Sequence, residues 1–162
     1  MAMRGSALVA VLMVLAVLFV LGLAMLTKQV QAYQGSHLVL EGAQAQAVAE
    51  AGLEDARVKL EKDLDFPPRS TPDQTSFTYS EDLLDGSGRL VGTYEVTVDR
   101  LYAGPPTWLI RITVTGTCGP HGERASSQRL VAELDVAEKS RSGSGADNPN
   151  FFRFLEVQSE GP

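Results

Sequence analysis

Cysteine is almost absent: Cys118 is the single one in 162 residues. No intramolecular disulfide can form, so an exported domain must be held by packing alone, or that thiol must pair between chains. Histidine is scarce too, with only His37 and His121. A structural zinc site wants four ligands, and Cys118-Gly119-Pro120-His121 offers two, so no metal and no cofactor is expected. Basic residues are in deficit, 14 Lys and Arg against 20 Asp and Glu, for a net charge of -6. Phosphate binding needs a basic surface, so no nucleic acid contact is expected. Proline is missing until Pro67, and charge is missing altogether from Ser6 to Leu26.

That charge-free stretch, SALVAVLMVLAVLFVLGLAML, follows a short leader in which Arg4 is the one charged residue. About 20 apolar residues are what an α-helix needs to cross a bilayer core roughly 30 Å thick. Three readings compete. A removable signal peptide would have a shorter apolar core and an A-x-A-like cleavage site, to which Gln29-Val30-Gln31-Ala32 is the nearest approach. A plain single-pass anchor would be oriented by Arg4 on the cytoplasmic side, although Lys28 on the far side weakens that bias. The third reading is half of a longer helix, since the chain continues past Lys28 without a helix breaker. Unbroken from Ser6 to Asp65, such a helix would run roughly 90 Å at about 1.5 Å per residue, too long for a compact domain of this size.

Beyond the membrane run the helix has a readable face. Ala45, Val48, Ala49, Gly52, Leu53, Ala56, Leu60 and Leu64 recur at i, i+3, i+4, i+7 spacing and make one apolar stripe. Within it, Val48, Gly52, Leu53, Ala56 and Leu60 are the expected packing residues, with Gly52 allowing another backbone to come close. Asp55 with Lys59, Arg57 with Glu61 and Lys59 with Asp63 have the spacing of supporting ion pairs on a solvated face. Gly22 sits in the membrane run, where a small residue serves close packing or local unwinding; Gly35 and Gly42 mark a possible bend. The helix should end at Phe66, because a residue before proline leaves the α region and Pro67-Pro68 cannot continue it.

From there the period becomes two. Gln74 to Ser80 reads as a short strand with Phe77 and Tyr79 on one face, followed by a turn at Asp85-Gly86-Ser87-Gly88. Tyr94, Val96 and Val98 alternate with Thr93, Glu95 and Thr97. Trp108, Ile110, Ile112 and Val114 share a face of the next strand, and after a turn region from Gly116 to Glu123, Leu130, Ala132, Leu134 and Val136 alternate with Glu133 and Asp135. Clean alternation with short connections predicts an antiparallel meander with one buried face, covered by the stripe of the helix. Glu138 to Asn150 has linker composition. Phe151, Phe152, Phe154, Leu155 and Val157 then predict an edge strand docked on the sheet, with a partner-binding surface as the alternative.

Chemistry is sparse. His37 lies on the long helix with no arrangement of nucleophile, base and orienter around it. Asp82, Asp85 and Ser87 could give oxygens to calcium, yet the twelve-residue ligand pattern is absent and a solvated turn is the simpler reading. No catalytic residue is assigned, and an enzyme is not expected.

The order of these parts resembles a type IV prepilin: a very short basic leader ending at Gly5, an apolar segment, and a continuous amphipathic helix. The stretch Gln46-Ala47-Val48-Ala49-Glu50-Ala51-Gly52-Leu53-Glu54-Asp55-Ala56 is similar to the helix of PilX-type minor pilins. Tyr94 to Val98, Ile110 to Thr117 and Arg129 to Val136 resemble the β-region that follows it there.

The resemblance implies a pilin-like α+β fold, with a leader at 1–5, a transmembrane and polymerisation helix at 6–27 and its amphipathic continuation at 28–66. An antiparallel β domain at 67–137 follows, then a linker and apolar segment at 138–162. It implies cleavage by prepilin peptidase between Gly5 and Ser6, methylation of the new amine, storage in the inner membrane with the N-terminus cytoplasmic, and assembly with other major and minor pilins into an extracellular or periplasmic filament. One departure stands out. Pilins mostly carry phenylalanine first and glutamate fifth after the cut, and here those places hold Ser6 and Ala10. PilX-type minor pilins and the K-type pseudopilins of type II secretion also tend to lack that acid, which implies a role in initiating or capping the filament. The alternative is a membrane-anchored module that binds a periplasmic partner without polymerising.

Overall fold

The computed structural model describes residues 3–66, 68, 71, 74–118, 126–141 and 145–160, with 3–8 as backbone only. The chain divides into two compact units, Met1–Leu40 and Glu41–Pro162. One helix, α1 (Met3–Lys62), supplies the described part of the first unit and enters the second. Five strands follow: β1 (Ser76–Leu84), β2 (Leu90–Asp99), β3 (Leu109–Cys118), β4 (Ser126–Asp135) and β5 (Phe154–Glu160). They form one sheet in the order β1-β2-β3-β4-β5, every neighbouring pair antiparallel. The expected α+β class, a long N-terminal helix with an antiparallel meander, is the observed one, and its arrangement is consistent with a pilin-like fold.

Within the second unit the packing follows the predicted stripe. Ala45, Val48, Ala49, Ala56 and Leu60 are fully buried and Leu53 nearly so. They meet Tyr94, Val96 and Val98 of β2, Ile110, Ile112 and Val114 of β3, and Leu130, Ala132 and Leu134 of β4. Each fully buried branched side chain contributes about 2 kcal/mol relative to exposure. Leu64 falls outside this core at 47% exposure because the helix has already ended.

That end comes at Lys62, four residues before the predicted stop at Phe66. The carboxylate of Asp63 accepts the backbone N–H of Asp65 at 2.9 Å and offers the chain a turn in place of another helical bond. Arg100, a buried guanidinium, then donates to the carbonyls of Leu64 (3.1 Å) and Phe66, which fastens this turn to the end of β2. Gly22, Gly35 and Gly42 lie inside the uninterrupted helix with nothing within 4 Å of a hypothetical Cβ, so no helical break accompanies them.

Gly52 does permit close approach, but of a ring and a side chain rather than a backbone. A Cβ there would lie 2.8 Å from the Tyr94 ring and 2.9 Å from Val114. The backbone contact belongs to Gly116 in β3, where a Cβ would sit 2.4 Å from Ala49 N and 2.5 Å from Ala45 O.

Three further departures lie in the sheet. β1 runs on to Leu84, past the predicted end at Ser80. Trp108 precedes β3 instead of sharing its buried face: its φ is 53°, it is 41% exposed, and its N–H bonds the carbonyl of Gly104 in the turn that leads into the strand. Asp135, predicted to face outward, is 1% exposed, its carboxylate turned in to accept hydrogen bonds from Ala137 N, Arg141 and Asn148. The predicted edge strand is present as β5, paired to β4, with Phe152 and Phe154 packed against the core.

Gly116 gives a direct test of how helix and sheet meet. Gly116→Ala should cost about 3 kcal/mol, because the added carbon meets backbone that cannot swing aside. The measurement is the urea midpoint of the full-length protein in detergent micelles, followed by fluorescence. Gly86→Ala, in open space, should leave the midpoint in place, and an unshifted midpoint for Gly116→Ala would refute the contact.

Candidate functional site

The most distinctive surface is the N-terminal part of α1. Its most apolar window has a mean hydropathy of 3.1 and none of that window is buried within the chain, so this helix is long and apolar enough to cross a membrane. Val9, Leu12, Phe19, Leu23 and Leu26 are all more than half exposed. Gly5 and Ser6, the predicted processing positions, lie in the backbone of the helix's first turns. Ala10 lies on the exposed helix surface beside Val11 and Val14, and the first carboxylate anywhere in the chain is Glu41.

The predicted packing residues Val48, Gly52, Leu53, Ala56 and Leu60 all belong to the buried face of the second unit. Beside them, the helix and sheet are joined by a polar cluster that periodicity does not reveal. Lys59 Nζ lies 2.6 Å from Asp55 Oδ2 and 2.5 Å from Glu81 Oε1, linking two helical residues to β1. Tyr79 donates its hydroxyl to Asp55 at 3.2 Å, and Tyr94 donates to Glu81 at 3.0 Å. The ammonium also lies 4.5 Å from the Tyr79 ring centroid, within cation–π range. Burial, then the neighbouring carboxylates, push both tyrosines well above their usual titration range. Burial works to lower Lys59, but the hydrogen bonds that its ammonium donates to Asp55 and Glu81, with the charges of both, outweigh it and raise the group overall. Lys59 therefore stays charged and both tyrosines stay neutral at neutral pH, and the cluster acts as a fastening. Of the predicted helix pairs, Asp55 with Lys59 is present, while Arg57 pairs with Glu54 at 2.8 Å and Lys59 turns to Glu81.

A second missed feature is Asp135. Its Oδ1 accepts from Ala137 N and from Arg141, each at 3.0 Å, and its Oδ2 accepts from Asn148 Nδ2 at 3.0 Å. Phe152 N bonds its carbonyl at 2.8 Å. Asn148 also donates to Ala137 O, and Lys139 bridges to Asp147, so the described residues of the segment with linker composition, 138–141 and 145–150, are folded onto the end of β4. A buried carboxylate is tolerated because both oxygens are satisfied. The sequence signal for this was faint: Arg141 and Asn148 lie among serines and glycines that read as a tether.

Among the described residues the candidate metal ligands are not brought together. Cys118 is buried and its thiol donates to the Glu41 carbonyl at 3.0 Å. Burial, then the Glu41 charge, raise its pKa, so it is neither a ready thiolate nor presented for pairing between chains. His121 lies outside the described residues. Asp82 accepts a hydrogen bond from Thr93 at 2.8 Å. Asp85 Oδ1 accepts from Ser87 N (2.8 Å), Ser87 Oγ (2.6 Å) and Arg89 N (2.9 Å), which closes the β1–β2 turn. Among the described residues, no group of three or more His, Cys, Asp or Glu is placed to hold a metal ion.

Asp85 supplies a pH test with a definite sign. Hydrogen bonds from Ser87 and Arg89 lower its pKa to about 2. Stability from the turn is thus fully present above the ordinary aspartate range, near 3.9, and fades as pH falls through about 2. A carboxyl-carbon NMR titration should place Asp85 below every ordinary aspartate, and Ser87→Ala should raise it.

No family model, curated protein or solved structure matches the chain.

Proposed function

We propose that the chain is a structural subunit, a minor pilin or its pseudopilin counterpart, that helps initiate or cap a type IV pilus or related filament. The observation that carries this reading is the helix itself. Its N-terminal part is apolar and uncovered within the chain, while the same element continues as the packed face of an antiparallel meander. A plain anchor needs no such continuity, whereas a subunit that waits in a bilayer and is then drawn into a bundle needs one helix with two kinds of surroundings. Exchange of lipid for other apolar helices is close to neutral, which makes extraction tolerable.

In this reading prepilin peptidase cuts between Gly5 and Ser6, the amine of Ser6 is methylated, and the subunit rests in the inner membrane with its N-terminus cytoplasmic. The partners are other major and minor pilins. Ala10 supports a place at the tip. A subunit without a carboxylate there cannot neutralise a buried amine on a neighbour ahead of it, and an unpaired buried charge is costly. At the tip nothing sits ahead. No catalytic step is assigned to the chain.

Two measurements test the proposal. Mass spectrometry of the protein from cells with active prepilin peptidase should find a chain beginning at Ser6, and cells lacking the peptidase should retain Met1; an intact Met1 in both would favour the non-polymerising anchored module. Immunogold labelling of purified filaments should place the wild-type subunit at one end, and Ala10→Glu should let it enter the shaft. Wild-type label along the filament at major-subunit levels would sink the tip assignment while leaving the cleavage result standing.

A further inference from the structure

The two edges of the sheet are finished differently. On β1, Phe77, Tyr79 and Leu83 are partly covered, with Tyr79 and Leu83 packed against the core, and Glu81 and Asp82 are engaged by Lys59, Tyr94 and Thr93. On β5, Leu155 is 43% exposed and Val157 51% exposed. Val157 stands opposite Ala132, which is 1% exposed, so the apolar core reaches the last strand and stops there without a cover. Leu155 occupies the register shift beside it. An open edge also presents a row of backbone donors and acceptors, which makes it a template for one more strand.

The opposite face of β5 has its own chemistry. Glu156, Gln158 and Glu160 stand across from Glu133, Val131 and Arg129. With Arg111 in place of Arg129, these side chains line a shallow groove of about 250 Å³. Arg111 is held by Glu133 at 3.0 Å, and Arg129 reaches Glu160 at 3.4 Å, whereas Glu156 has Gln158 as its hydrogen-bond partner at 2.6 Å. Three carboxylates thus face two guanidinium groups along this edge, and the surplus is negative.

We propose that the free edge of β5 is a docking site for an extended segment of a partner protein in which apolar residues alternate with lysine or arginine. Side chains alternate between the faces of a strand, so such a segment lays its apolar residues beside Leu155 and Val157 and its cations beside Glu156 and Glu160, while its backbone completes the ladder. A second copy of β5 is a poor occupant, because it brings its own Glu156 and Glu160 to the same face and like charges on neighbouring strands repel.

The test uses the full-length protein in detergent micelles and three short synthetic peptides: alternating lysine and valine, the same composition with the lysines grouped at one end, and alternating glutamate and valine. Fluorescence anisotropy should show the first binding about tenfold or more tightly than the others. Its addition should slow amide exchange in β5 and not in β1. Glu156→Lys with Glu160→Lys, both at exposed positions, should transfer the preference to the glutamate peptide, and Val157→Ser should weaken binding of the lysine peptide about tenfold. Equal binding of the grouped-lysine peptide would reduce the effect to bulk charge and overturn the proposal. So would protection on β1, or β5 protection that appears with protein concentration alone, which would identify a second copy as the occupant.

Discussion

The fold of the second unit depends on one close approach, that of the helix backbone at Ala45 and Ala49 to Gly116 in β3. Where two backbones come this near, no side chain fits between them, and the surrounding residues are sized to match. Val48 leans against Gly92, and Tyr94 and Val114 occupy the space that Gly52 leaves. Three glycines on two strands and the helix therefore set the register between elements. Branched residues such as Leu60, Ile110 and Leu134 fill the remainder of the core. The cost of glycine in a helix or strand, about 1 kcal/mol at Gly52, is offset by the larger apolar contact that it admits.

Polar groups finish what the apolar contact begins. The Lys59 cluster fastens β1 to the helix, Arg100 fastens the turn after the helix to β2, and Asp135 gathers the chain after β4 before it returns as β5. Each lies at a margin of the core, where the burial of apolar surface alone does not specify direction. Hydrogen bonds to charged groups are worth more than neutral ones at such places, because a full charge attracts its partner more strongly where little water screens it. They give the described residues of these connections a defined path although their composition is that of loops.

How far the sequence could be read follows from this division. The stripe from Ala45 to Leu60 and the alternation in β2, β3 and β4 were legible because each depends on spacing along a single element. The end of α1 was misplaced because the proline rule marks the last residue a helix could reach, while Asp63 and Arg100 decide where it stops. Asp135 and Trp108 were misassigned for a related reason. Period two carries a strand's faces only as far as the strand extends, and both residues sit where strand gives way to turn. The distinction between Gly52 and Gly116 was also out of reach, since it depends on which element lies opposite.

The N-terminal part of the helix poses a separate problem of surroundings. At about 25 cal/mol per Å² of apolar surface, moving a run such as Ser6 to Leu26 out of water into an apolar environment is worth more than a typical domain's whole net stability of about 5–15 kcal/mol. It therefore requires an apolar environment from outside the chain, and both a bilayer and a bundle of similar helices supply one. Composition does not choose between them, because hydrocarbon is equally apolar in either place. In the proposed function what distinguishes them is charge at the N-terminus that cleavage would leave: a methylated amine would be easily solvated at a membrane surface but would need a carboxylate inside a bundle. With Ala10 neutral and Glu41 the first acid in the sequence, this chain brings no such partner of its own. In the proposed filament its amine would depend on a neighbour's acid, while no neighbour's amine could depend on it. That one-sidedness is the physical content of a terminal position.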